Sequence, residues 1–160
     1  MLVEYNEKYD KNIKDLFIEL QTYIMDLDKE GYNIVTEKYG EEYLKIVKMY
    51  LRENGGKILL YKENDKIVAL IVGIINNEKE EVYDFKAPKR GKITDLIVSK
   101  EVRGKKIGSI LLSAMEEYLA KEGCEDILLD VFAYNEKAYK FYKDKGYSER
   151  LISMSKKVNE

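Results

Sequence analysis

LIVSKEVRGKKIGSILL, residues 96–112, decides how the chain is read. Its apolar start closes a run, KITDLIVS (92–99), with the composition of a strand. From Ile107 onward, Ile107, Ile110, Leu111, Ala114, Met115, Tyr118 and Leu119 recur on one helical face. Between them stand Arg103, Gly104 and two lysines, with Gly108 and Ser109 in the first helical turn. A helix N-terminus carries unpaired N–H groups and the positive end of the helix dipole, so a glycine-bearing turn ahead of it can hold an anion. The same turn can also be a plain connection. Neither GxxxxGK[ST] nor GxGxxG occurs in the chain, so the anion expected is not a nucleoside triphosphate held with magnesium.

Upstream, a short strand over 2–5 precedes a helix marked by Ile13, Leu16, Phe17, Leu20, Ile24 and Leu27. A second helix carries Tyr39, Tyr43, Ile46, Val47, Tyr50 and Leu51, with Thr36 as its expected cap and Gly55-Gly56 beyond its end. Residues 57–75 read as two strands turning at Asn64-Asp65. The charged segment 76–91, with the only proline, reads as an exposed hairpin tip or loop. Downstream of the helix, which ends near Gly123, come a strand over 126–132, a helix capped by Asn135 with Ala138, Phe141 and Tyr142 inward, and a final strand or strand pair over 147–158. The order strand-helix-helix-strand-strand-strand-helix-strand-helix-strand predicts an α/β fold with a mixed sheet, in one domain over 1–160.

Composition narrows the chemistry. With 28 basic and 30 acidic side chains the net charge is -2, which argues against a nucleic-acid binder. The longest apolar run, 67–75, is far short of the ~20 residues that span a bilayer, so no membrane partner is expected. A single cysteine, Cys124, and a charged start predict a cytoplasmic protein. With no histidine, the usual nitrogen and sulfur ligands of zinc are missing and histidine-based catalysis is excluded, so no metal is expected. Acids and bases must then be carboxylates, tyrosine, lysine, the cysteine or water.

Residues 96–112 resemble motif A of the GNAT superfamily of N-acetyltransferases, Q/R-x-x-G-x-G/A after a strand of the type L-x-V. NEKAYKFYKDKGY (135–147) resembles the same family's downstream motif, N-x-x-A-x-x-F/L-Y-x-x-x-G-F/Y. Two motifs in the right order are far more specific than either alone, and the likeness covers 92–158. It implies acetyl-CoA as acyl donor, with the pyrophosphate on the main-chain N–H groups of Arg103, Gly104, Lys105, Lys106, Gly108 and Ser109. The pantetheine arm would lie along Leu96, Ile97 and Val98, with the Val98 N–H facing the thioester carbonyl. Such a fixed donor stabilises an oxyanion. Two positions depart from the pattern: Lys106 replaces the first signature glycine, and Lys100 stands where many relatives carry proline.

Tyr142 matches the family tyrosine that can protonate the departing thiolate. A phenol of pKa ~10 is protonated at pH 7 and can share a proton with a thiol of pKa ~8.5. It also reads as one more packing aromatic among 14 tyrosines. Asn135 matches the motif asparagine expected near pantetheine, and reads equally as a helix cap. For the general base, Asp130 in LLDVFAYN (128–135) resembles the acidic position of the family's ribosomal-protein acetyltransferases. Asp95 is a second candidate, and either could be a merely solvated carboxylate.

The first 56 residues carry 12 acidic and 8 basic side chains. Tyr23, Tyr32, Tyr39 and Tyr43 join Asp26, Asp28, Glu37, Glu41 and Glu42 there, an expected acidic wall suited to a cationic small molecule or a peptide amine. Solubility alone explains many acidic helix faces. The rival readings are a non-catalytic acyl-CoA binding or sensing module and a nucleotide-binding interaction domain. The resemblance also admits a homodimer.

Overall fold

The apolar alternation of residues 57–75 and 92–99 builds the middle of a sheet. In the computed structural model, which describes residues 1–76 and 88–158, five strands lie in the order β1-β2-β3-β4-β5. They are β1 (Leu2–Glu4), β2 (Gly56–Glu63), β3 (Lys66–Asn76), β4 (Arg90–Val98) and β5 (Asp126–Leu129). Pairing is antiparallel as far as β4 and parallel between β4 and β5, whose connection is a crossover through α3 (Ile107–Lys121). Helices α1 (Asp10–Leu27) and α2 (Tyr39–Asn54) join β1 to β2, and α4 (Glu136–Asp144) follows β5. This is the mixed α/β architecture expected. The chain divides into two compact units, Met1–Asp130 and Val131–Glu160.

In the first unit, α1 and α2 cover one face of the sheet. Ile13, Phe17, Leu44 and Val47 pack there with Leu60, Leu70, Val72 and Ile97 in one buried cluster. Removing such side chains from water is worth about 1.5–3 kcal/mol each. Successive strand residues face opposite ways, so Gly73, next to Val72, meets α3 on the other face, where a side chain would strike Met115. That close approach fixes α3, and with it the turn at its N-terminus. Asn64 and Asp65 both take positive φ, 47° and 62°, as a two-residue hairpin turn requires.

Four expectations are corrected. Thr36 does not cap α2; the cap position is Lys38, which offers no side-chain bond, and Thr36 contributes only its carbonyl to the Tyr39 N–H at 3.1 Å. Strands claim both ends of the segment expected as a loop, with Asn76 paired to Arg90, while residues 77–87 lie outside the described residues. The strand expected over 126–132 stops at Leu129, where its register with β4 ends opposite Ile93. Among the described residues, 147–158 form no strand: no neighbouring edge takes up their N–H and C=O groups in a ladder, and Leu151, Ile152 and Met154 are exposed. No helix among the described residues is long and apolar enough to cross a membrane.

Candidate functional site

The middle of β4 carries an irregularity that its sequence does not announce. Asp95 stands opposite Val72 and Ile93 opposite Gly73, so Thr94 is an extra residue, a β-bulge. The parallel pairing with β5 ends just before it, at Ile93 and Leu129. Beyond that point the Ser99 N–H donates to the Val68 carbonyl on β3 at 2.9 Å. Main-chain groups alternate sides along a strand, so those of Ile97 also face β3, while those of Leu96 and Val98 face the edge that β5 has left. On that edge the Val98 carbonyl accepts a hydrogen bond from Arg103 Nε at 3.0 Å.

A 3-10 turn, Lys100–Val102, leads from β4 to the loop. Gly104 has φ 85°, and Lys106, the cap position of α3, sits in the left-handed region at φ 60° and ψ 12°. Lys106 thus keeps the dihedrals that favour glycine. It gives α3 no side-chain cap, so the first-turn N–H groups of Gly108 and Ser109 point outward with no capping side chain. Lys105 pairs with Glu63 at 3.0 Å; Lys106 makes no ion pair among the described residues. A side chain in the left-handed region costs about 1 kcal/mol relative to glycine. Lys106→Gly is therefore expected to raise the thermal unfolding midpoint by about 3 °C, as read by calorimetry.

The two candidate carboxylates occupy different surroundings. Asp130 is exposed and pairs with Lys92 at 2.8 Å. Asp130 and Lys92 line a cleft of about 180 Å³ between α2 and the sheet, with Tyr43, Tyr50, Ile74 and Thr94 among its walls. Asp95 is buried beneath it, with 5% of its surface exposed. Its Oδ1 accepts from the Tyr43 hydroxyl at 3.0 Å and its Oδ2 from Thr94 Oγ1 at 2.8 Å. Tyr43 in turn stacks on Tyr39, ring centroids 5.5 Å apart, and meets the edge of Phe17. Burial pushes the Asp95 carboxyl above its ordinary value of 3.8, against the lowering effect of its two donors. Burial and the Asp95 charge push Tyr43 upward too, and Tyr39 up to about 12.

A raised carboxyl pKa means that the folded chain holds this proton more tightly than the unfolded one. Its contribution to stability is therefore greatest below pH 3.8 and falls as pH climbs from there through the folded value. Asp95→Asn removes that slope. Its thermal midpoint is expected to match or fall below the parent's at pH 4 and exceed it by a few degrees at pH 8; a difference independent of pH would count against the burial argument.

In the second unit, Asn135 caps α4, its side chain accepting the Ala138 N–H at 3.3 Å. Tyr142 is half-buried, with the rings of Phe141 and Tyr147 at 5.2 and 5.7 Å. Tyr139 and Lys143 both reach Glu149 just past the helix.

Of the acidic residues expected as a wall, Asp28 and Glu41 are engaged by local partners. Asp28 closes the turn after α1 by accepting from Asn33 and Glu30, and hydrogen bonds hold its carboxyl down at about 2. Glu41 pairs with Lys45 along α2, and Tyr32 is exposed. Tyr23 lies under the Arg103 guanidinium, 5.3 Å from ring centre to Cζ. Only Tyr39 and Tyr43 turn toward the buried carboxylate. Two contributors went unnoticed in the sequence reading. Lys92 carried a signal, a cation beside the apolar residues of its strand; Glu19 carried none.

Among solved structures, the fold is that of acetyltransferases. A Pyrococcus furiosus protein assigned as an acetyl transferase shares 26% identity at a TM-score of 0.75, over 99% of both chains. The fold recurs in a tetramutant of the BH1408 protein from Bacillus halodurans (19% identity, TM-score 0.80, 99% of both chains). It recurs again in glucosamine-6-phosphate N-acetyltransferase from Arabidopsis thaliana (24%, 0.63, 99% of this chain and 98% of that one). Residues 21–147 match the model of the acetyltransferase (GNAT) family, and the chain belongs to that family.

Proposed function

We propose that this chain transfers the acetyl group of acetyl-CoA to a primary amine by direct attack on the thioester. The observation that carries the reading is the edge of β4: a bulge at Thr94 and the end of β5 leave the Leu96 and Val98 main chain turned to an unladdered edge, next to an uncapped helix N-terminus. The pyrophosphate would lie on the amides of Arg103 to Lys106, Gly108 and Ser109, with positive charge from Lys105 and Lys106. Pantetheine would run along β4, near Asn135, and the Val98 N–H would take the oxyanion as charge develops. The amine nitrogen forms the new C–N bond, the C–S bond breaks, and Tyr142 gives its proton to the leaving thiolate. The amine's proton leaves through water to a carboxylate at the cleft, Asp95 or Asp130.

The cleft walled by Tyr43 and Tyr50, with Asp130 in its lining and Asp95 buried beneath, supports a cationic small molecule or a peptide N-terminus as acceptor. That the family match runs from 21 to 147, across both units, supports one acetyltransferase domain over 1–160. The test is thiol release from acetyl-CoA with separate pools of polyamines, aminoglycosides, amino acids and peptides. Release above background in one pool is expected. CoA binding with silence in every pool would favour a binding or sensing module.

A further inference from the structure

We propose that Glu19, on α1, is a positioning residue that holds the strand-to-helix loop in the shape acetyl-CoA requires; this rests on the acetyl-CoA reading above. Both carboxylate oxygens are engaged. Oε1 accepts the Lys100 N–H at 2.6 Å and Oε2 accepts the Ser99 hydroxyl at 3.1 Å, across a sequence separation of 81 residues in the first case. Arg103, just past the other end of the 3-10 turn, lies 3.8 Å from the same carboxylate through Nη2. Its Nε holds the Val98 carbonyl and its guanidinium lies on Tyr23, one helical turn along α1 from Glu19. One carboxylate therefore touches both ends of the turn that aims Gly104, Lys105 and Lys106.

Among the described residues Glu19 makes no ion pair within α1, so its contacts serve the loop rather than its own helix. The bonds to Ser99 and Lys100 are charge-assisted, and they form when the chain folds. The ordering cost of the loop is then met before a ligand arrives, which is how preorganisation raises affinity. The main chain also suggests a substitute for the clamp. Ser99 has φ -52° and ψ 138°, the extended geometry that a following proline demands, and Lys100 opens a helical turn, where proline is tolerated. Lys100→Pro would stiffen the turn with no partner on α1.

The experiment compares the parent chain, E19A, E19Q and E19A/K100P by calorimetric titration with CoA, hydrogen exchange of the amides at 99–109, and thermal midpoint. E19A is expected to bind CoA about tenfold more weakly, to exchange faster across the loop, and to raise KM for acetyl-CoA far more than it lowers kcat. E19Q, which keeps an acceptor for the Lys100 N–H, should lose less. E19A/K100P should recover to within about threefold of the parent. Unchanged CoA affinity in E19A, a lowered midpoint with loop exchange unchanged, or no recovery on adding K100P would each overturn the proposal. A parent chain that does not bind CoA would instead sink the acetyl-CoA reading, and exchange in E19A against the parent would still decide whether Glu19 holds the loop.

Discussion

Replacing Tyr142 with phenylalanine is expected to lower kcat about 100-fold while acetyl-CoA affinity stays within about threefold. The substitution removes one oxygen and keeps the ring, so the edge contacts with Phe141 and Tyr147 persist. Without the phenol, the thiolate must leave unprotonated or take its proton from water, and general-acid catalysis is worth about 10²–10⁴ in rate. Because the proton is needed only as the C–S bond breaks, the loss should appear in turnover and not in binding. Steady-state thiol release with the acceptor in excess, beside a CoA titration, separates the two. A variant that keeps full turnover would transfer the acid role to water or another side chain. One that loses CoA affinity in proportion would make Tyr142 a binding residue.

What was legible in the sequence was local. The helical period from Ile107, the alternation over 57–75 and the Asn64-Asp65 turn each follow from residues within a few positions of one another. The features that give the site its geometry are not local. The bulge at Thr94 exists only relative to β3, and the end of β5 only relative to β4, so no pattern within either strand announces them. Asp95 looked like the weaker of two carboxylates because its sequence neighbourhood says nothing of Tyr43, 52 residues away, which helps to bury and bond it. Asp130, the stronger candidate by motif, is an exposed partner of Lys92. The left-handed Lys106 was visible as a departure, and its dihedrals show that the backbone kept what the glycine would have supplied. The strand expected over 147–158 failed for the converse reason. Apolar content suggests a strand, but only a neighbouring edge makes one.

Gly56→Ala is expected to cost about 4 kcal/mol, or about 12 °C in thermal midpoint. Gly56 opens β2 at φ 123°, where L side chains are rarely found, and a Cβ there would lie 2.2 Å from the Gly73 carbonyl oxygen and 2.7 Å from the Ile74 Cα. Both obstacles are main chain in a central strand, so neither can turn aside as a flexible side chain would. Relief must come from moving β2 against β3, at the place where β3 passes from Gly73 to Val72 and β4 takes up its extra residue. Gly31→Ala provides the control: its φ of 74° is also left-handed, yet nothing lies within 4 Å of the added carbon, so about 1 kcal/mol is the expected loss. The difference between the two variants isolates the close approach from the dihedral. Since β3 also carries the register that exposes Leu96 and Val98, the Gly56 variant should lose CoA affinity even where it remains folded, whereas Gly31→Ala should bind CoA as the parent does. Equal losses in the two variants would mean that the sheet yields at this point and that the bulge does not depend on its tight packing.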